Sequence, residues 1–151
     1  MTALEEQIRL IVDALRARNN RRGELRPIIL GAAVDEITLA SRLATAPFEL
    51  PPSYVALLQL HDGIEGFYGE HGELLPARYR GQLDAAYADR VDLTDRMLIA
   101  ADGAGHGLFL DGTDPGPEGE TPLIEVTPDG MLRHASLSAF LETYVARLSE
   151  I

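Results

Sequence analysis

The chain of 151 residues has the length of one ordinary domain and carries a formal net charge of −11. An acidic surface repels nucleic acid and anionic membranes, so the charge argues against both as partners and favours either a basic partner or simply solubility. The chain has no cysteine, which excludes disulfide bonds, thiolate nucleophiles and cysteine zinc sites. We therefore expect a single domain over residues 1–151 that needs no oxidising compartment.

The hydropathy pattern and the first residues predict a cytoplasmic protein. No apolar run approaches the roughly 18 to 20 residues of a membrane span, and the chain does not begin with a basic segment followed by an apolar one. Arginine clusters near the end of the first predicted helix, at positions 16, 18, 21, 22 and 26. We interpret this cluster as a solvated helix C terminus, whose dipole favours cations, with a phosphate site as the alternative.

Three helices are predicted in the first 63 residues. Thr2 and Glu5 have the spacing of a capping box, and an apolar face at helical spacing follows, formed by Leu4, Ile8, Ile11, Val12 and Leu15. A short extended piece at 27–30 precedes a second helix that begins after Ala33 or Asp35. Its apolar face comprises Ile37, Ala40, Leu43 and Ala44.

The third helix lies within residues 50–63 and is delimited at both ends. Two prolines at positions 51 and 52 suit its first turn, because proline presets φ and gives up only an N–H that is unpaired there. Tyr54, Leu57 and Leu58 share one face, and Gly63 can adopt the left-handed conformation that ends a helix. We expect a short buried helix.

The second half of the chain predicts strands and a closing helix. Glycine and acidic residues from Ile64 to Leu75 predict an irregular loop, and a short helix is expected over 79–87. Hairpins are predicted over 97–110 and 123–133, joined by a mobile acidic loop at 111–122. Ser136 opens a last helix with the apolar face Leu137, Phe140, Leu141, Tyr144, Val145 and Leu148. The predicted fold class is α+β, with a mainly antiparallel sheet packed against N-terminal and C-terminal helices.

No motif in the chain predicts catalysis, a metal or a cofactor. The glycine-rich segment 103–107 precedes a strand, whereas a phosphate-binding loop must precede a helix, so a hairpin turn is expected. His61 and Asp62 lack further histidines at helical spacing, and the acidic loop 111–120 lacks the register of a calcium site. No serine occupies a Gly-x-Ser-x-Gly turn. We expect a protein that is not an enzyme, with no cofactor.

In their order along the chain, several segments resemble the SMI1/KNR4 family, the SUKH superfamily. The segment Leu50-Pro-Pro-Ser-Tyr54, the pair Leu57-Leu58 and the exit Asp62-Gly63 are similar to its Leu-Pro-x-x-Tyr helix, although the family often has Asn before this glycine. The predicted hairpin over 99–111 resembles its two strands around a glycine-rich turn. Ser136-Leu-Ser-Ala-Phe-Leu141 resembles the opening of its last helix. The resemblance covers the chain from about residue 34 onward.

This resemblance implies a non-catalytic immunity protein that binds and neutralises a toxin delivered between competing bacterial cells. The alternative that it implies is a regulatory domain that binds a host protein or peptide. An acidic face steers a basic partner, so we expect the cognate toxin to be basic. We expect the chain itself to be a monomer or a weak homodimer. Loops carry partner contacts most often. The candidate partner-binding residues are Asp62, Glu65, Phe67, Tyr68, Glu70, Asp102, Asp111, Asp114, Glu118 and Glu120.

Overall fold

The computed structural model describes residues 2–79 and 81–150, which form an antiparallel sheet with helices. The helices are α1 (Ala3–Arg22), α2 (Glu36–Thr45), α3 (Pro52–Leu60) and α4 (Leu137–Ser149), with 3-10 helices at Asp84–Tyr87 and Pro117–Gly119. The strands are β1 (Ile29–Leu30), β2 (Ile64–Tyr68), β3 (Gly72–Leu74), β4 (Arg96–Ala101), β5 (Gly107–Asp111), β6 (Leu123–Thr127) and β7 (Gly130–His134). Each strand pairs with the next along the chain, so the sheet order is β1 to β7. The predicted α+β class with its antiparallel sheet is confirmed.

Helix α1 begins where the sequence predicts, after the capping residue Thr2. The hydroxyl of Thr2 accepts a hydrogen bond from the N–H of Glu5, which satisfies one of the unpaired donors of the first turn. Gly23 ends the helix with φ 67°, in the left-handed region that glycine adopts at no steric cost. Its inward face packs on α4, and Ile11 and Leu15 are fully buried there.

Helix α3 is the buried, delimited element that the sequence predicts. Pro52 occupies its first position, and Tyr54, Leu57 and Leu58 are each at most 2 % exposed. The helix ends at Leu60, and Gly63 follows with φ 87° before β2 begins. Its exit therefore feeds the sheet directly.

The sheet has two differently covered faces. Helices α1, α3 and α4 bury the larger core on one face, which includes Ile64, Phe67, Ile99, Leu108 and Phe140. On the other face, the segment after β3 covers β4 to β6 with a smaller cluster that includes Tyr87, Val91 and Phe109. This second cover stops short of β2 and β3, where an open cleft remains.

The region 64–75 is a hairpin, so the expected irregular loop is wrong. Strand β2 contains a bulge, because Glu65 pairs with Glu73 whereas Tyr68 pairs with Gly72. The glycine and acidic residues of this segment therefore do not follow the pattern of a regular strand. Gly66, with φ 76°, lies in this bulge, and both Phe67 and Tyr68 that follow it are buried. A bulge breaks the simple alternation from which a strand is read in a sequence.

The apolar face predicted for α2 lies on the surface. Ile37 is 84 % exposed, Leu43 is 47 % exposed, and Ala40 and Ala44 are exposed as well. The opposite side of the helix faces the protein, since Arg42 is buried and donates from Nη1 to the carbonyl of Tyr79 at 3.0 Å. This polar anchor fixes the rotation of α2, which hydrophobic periodicity alone did not predict.

Candidate interaction site

The structure divides the ten candidate partner-binding residues into three groups. Two of them are core side chains, namely Phe67 and Tyr68. Four are carboxylates that hold the fold together, namely Asp62, Asp102, Asp111 and Glu120. Four have exposed side chains, namely Glu65, Glu70, Asp114 and Glu118. Only the last group presents carboxylates to an approaching protein.

Phe67 and Tyr68 belong to an aromatic cluster under the helices, which corrects their assignment to a recognition loop. They are 0 % and 1 % exposed. The Phe67 ring centroid lies 5.9 Å from that of Tyr144, and Tyr144 donates its hydroxyl to the Phe67 carbonyl at 2.7 Å. The bulge at Gly66 turns both rings inward. Their role is therefore to anchor β2 to α4.

Three of the structural carboxylates accept hydrogen bonds from turns. Asp62 accepts from the N–H of Ala77 at 2.6 Å, and Glu120 accepts from the N–H of Ser53 at 3.1 Å, in the first turn of α3. Asp102 accepts from three N–H groups, those of Glu70, Ala104 and His106. Burial opposes ionisation of Asp102, but these hydrogen bonds lower its pKa below the ordinary value of 3.8. Each of these three carboxylates therefore stabilises the local backbone conformation.

Asp111 ends β5 as a buried ion-paired residue and does not lie in the mobile loop that the sequence predicted to begin there. Its side chain is 2 % exposed, with Arg96 Nε at 3.1 Å and Arg133 Nη1 at 3.0 Å. Burial raises its pKa, but hydrogen bonds from Thr113 and Arg133 outweigh burial and lower it. Asp114 lies next to it, is 70 % exposed and pairs with the second nitrogen of Arg133 at 2.6 Å. The Asp111 carboxylate is thus paired within the protein and is not accessible to a partner.

An acidic cleft lies on the open part of the sheet, over β2 and β3. Its volume is about 460 Å³, and its lining includes Glu65, His71, Glu73, Leu83, Tyr87 and Asp102. Glu65 and Glu73 are direct partners across the two strands, so their side chains point to the same face. Neither carboxylate has a hydrogen bond or ion pair with another described residue. The floor of this cleft therefore carries two charges that no residue in 2–79 or 81–150 neutralises.

Tyr87, Gly72 and Gly107 shape the cleft. A Cβ on Gly72 would lie 2.3 Å from the carbonyl oxygen of Ala101, so only glycine lets β3 approach β4 this closely. The Tyr87 ring packs over Gly107, where a Cβ would lie 2.7 Å from that ring, and the Tyr87 hydroxyl donates to the His106 carbonyl. The ring forms a wall between the covered and open parts of the sheet.

The acidic groups at the rim of the cleft have polar partners, in contrast to those on its floor. His71 Nε2 lies 2.8 Å from a carboxylate oxygen of Glu24, and Arg22 lies 3.6 Å from Glu70. Glu70, a predicted partner-binding residue, is therefore already paired with Arg22. The sequence did not predict Glu73 as a site residue. An irregular loop was expected over 64–75, and an irregular loop gives no basis for pairing Glu65 with Glu73 across two strands.

A second site that the sequence did not predict is the buried carboxylate of Glu125. Arg147 donates to both of its oxygens at 2.9 and 3.1 Å, His134 Nε2 lies at 3.0 Å, and the Tyr68 hydroxyl donates at 3.2 Å. Burial raises the pKa of Glu125, but the hydrogen bonds from His134 and Arg147 outweigh it and hold the pKa at about 2. An acid inside the apolar run Leu123–Thr127 was the available sequence signal.

Within residues 2–79 and 81–150, no group of three or more histidine or carboxylate side chains is arranged to hold a metal ion. Among the helices described, none combines the length and the apolar character needed to cross a membrane. No protein-family model matches the chain, and a search of curated proteins finds no significant match. The geometry of the acidic cleft is therefore the main basis for assigning a function.

Proposed function

We propose that this chain is a non-catalytic protein-binding domain whose acidic cleft receives a basic side chain of its partner. The observation that carries the proposal is the direct pairing of Glu65 with Glu73 on the cleft floor. Like charges directly opposite each other on antiparallel strands are destabilising, and no described residue neutralises them. A lysine or arginine from a partner would remove this repulsion and would be held by two carboxylates.

The overall charge supports the same kind of partner. A net charge of −11 raises the encounter rate with a basic protein and disfavours acidic competitors. Within this class, the resemblance of the 50–63 helix, the β4–β5 hairpin and the start of α4 to the SMI1/KNR4 (SUKH) superfamily favours an immunity protein. The proposed partner is a basic toxin delivered between competing cells, neutralised in the cytoplasm.

Co-expression with a candidate toxin gene from the genomic neighbourhood of this chain tests this proposal. Expression of the toxin alone should arrest growth, and co-expression of this chain should restore growth and yield a complex that co-purifies. Growth arrest that persists, with no complex, would refute the immunity role. A neighbourhood without a toxin gene, together with capture of a regulatory protein of the same cell, would favour the regulatory alternative.

The cleft itself is tested by removing its charges from that complex. We expect the double variant E65Q/E73Q to weaken binding by about tenfold or more, since it removes two charge-assisted hydrogen bonds. The matched control E49Q/E142Q removes the same charge at exposed positions outside the cleft. Equal losses in both double variants would show that total charge matters and that the cleft does not.

A further inference from the structure

Arg18 is a buried arginine to which no described residue supplies an acidic partner. It lies on the inner side of α1 and is 3 % exposed. Its Nη2 atom has one long contact, 3.5 Å from Oδ1 of the neighbouring Asn19, and its Nε atom has no hydrogen-bond partner. No carboxylate among the described residues lies within ion-pair distance of Arg18.

This arrangement is unfavourable for the chain on its own. Burial of a guanidinium without a counter-charge costs far more than burial of a paired one, because its hydration is lost without replacement. The buried carboxylates of this chain obey that rule, since Asp111 and Glu125 each face arginine. Arg42 and Arg18 depart from it, but Arg42 donates to the carbonyl of Tyr79 at 3.0 Å, whereas Arg18 makes no hydrogen bond shorter than 3.5 Å. Arg18 therefore calls for a group that the described residues do not supply.

The Arg18 side chain borders a cavity that can hold such a group. The cavity has a volume of about 130 Å³, and its lining includes Tyr68, Glu125, Tyr144 and Arg147. A volume of this size exceeds that needed for a single water molecule and suffices for a small anion. Glu70 and His106 also line it, close to the turns after β2 and β4. Arg147 and Tyr68 already donate to Glu125, and Tyr144 donates to the Phe67 carbonyl, so Arg18 is the donor that remains for a ligand.

The charges around the cavity leave an excess of one positive charge. Arg18 and Arg147 contribute two positive charges and Glu125 one negative charge. At the rim, Glu70 is offset by Arg22. Burial raises the pKa of Tyr144 to about 12, so this phenol stays neutral and adds no charge to the cavity. A ligand with a single negative charge would balance the cavity, whereas a dianion would overcompensate it.

We propose that this cavity is a binding site for one carboxylate, which Arg18 holds through its two terminal nitrogens in the two-pronged geometry typical of arginine. Carboxylates match the planar guanidinium fork, and their single charge matches the excess in the cavity. The carboxylate comes either from an acidic side chain of a bound protein or from a free small acid. The inference is independent of the proposed function, because Glu65 and Glu73 do not line this cavity.

The N–H signal of Arg18 Nε in nuclear magnetic resonance spectra provides a direct test. Titration with sodium acetate, against sodium chloride at equal ionic strength, should shift this signal saturably. Titration with glutamate blocked at both its amino and α-carboxyl groups mimics a protein side chain. A shift with both ligands indicates a protein-borne carboxylate, and a shift with acetate alone indicates a free acid; either result supports the site.

Variants separate the site from general charge effects. We expect R18M to weaken acetate binding, read from the amide signals of Gly69 and Glu70, by about tenfold or more, the loss expected for a charge-assisted pair. R16M, at an exposed position of the same helix, should bind acetate as the unchanged protein does. Since R18M removes a buried unpaired charge, it should also raise the melting temperature in chloride. If R18M fails to fold, the Arg18 signal of the unchanged protein still decides.

Three results would overturn the proposal. One is an Arg18 Nε signal that acetate leaves unchanged, which would mean that water alone solvates the guanidinium. Another is acetate binding that R18M and R16M alter equally. The third is tighter binding of inorganic phosphate than of acetate at equal ionic strength, since the charge balance assigns the cavity to a monovalent anion.

Discussion

Glu125 and Glu65 are glutamates on strands of the same sheet, yet they lie on opposite faces in opposite electrostatic surroundings. Glu125 points under the helices, is 1 % exposed and receives hydrogen bonds from Arg147 and Tyr68. Glu65 points into the open cleft and faces another carboxylate, that of Glu73. The carboxylates that contribute to the net charge of −11 therefore differ in exposure and in pairing. Carboxylates under the helices serve folding, and those in the cleft remain available for binding.

The largest expected effect concerns the helix-covered face. Phe67→Ala should lower the free energy of unfolding by about 4 kcal/mol, because it removes a fully buried ring and leaves a cavity. Chemical denaturation measures this loss. Val55→Ala, at a half-buried position of α3, is a control with a smaller expected loss. A loss below about 1 kcal/mol for Phe67→Ala would indicate that this ring is exposed, as expected of the partner-binding residue that the sequence predicted.

The buried carboxylate is next in size. Glu125→Gln should lower the free energy of unfolding by about 3 kcal/mol, at the low end for a broken buried ion pair, because Arg147 is 38 % exposed and can be rehydrated. Glu142→Gln, at an exposed position of α4, should change stability little. Equal stabilities of the two variants would remove the distinction between the two faces.

The pH dependence of stability follows from the same group. The pKa of Glu125 is about 2 in the folded state against an ordinary value of 4.5, so its ionised form favours folding. Its contribution, about 3 kcal/mol, is complete above pH 4.5 and is lost as the pH falls through 2. The destabilisation caused by Glu125→Gln should therefore shrink over this range. A difference between variant and parent that stays constant with pH would contradict the assigned pKa.

The smallest effect is expected in the cleft, and it has the opposite sign. Glu65→Gln should raise the free energy of unfolding by a few tenths of a kcal/mol, because it removes repulsion between directly paired like charges. Added salt should reduce this gain by screening. Loss of stability in Glu65→Gln would indicate that the carboxylate has a structural partner. Together with the loss in Glu125→Gln, this sign change is the sharpest test of the comparison.

Local rules carried much of the fold prediction. The caps at Thr2 and Ser136, the proline entry of α3 and the hairpins around short turns each depend on residues close in sequence, and the structure has all of them. The α+β class with an antiparallel sheet followed from the order of these elements. Predictions failed where one local irregularity changed the pattern, as at the bulge of β2.

By itself, the sequence determined most of the element types, the class of fold and the excess of negative charge, because propensity, capping and composition act locally. Tertiary structure alone decided which charges are available. Register placed Glu65 beside Glu73, packing turned Phe67 inward, and packing also left Arg18 buried without a counter-charge from any described residue. Burial and pairing arise between residues far apart in the chain, and no local pattern encodes them.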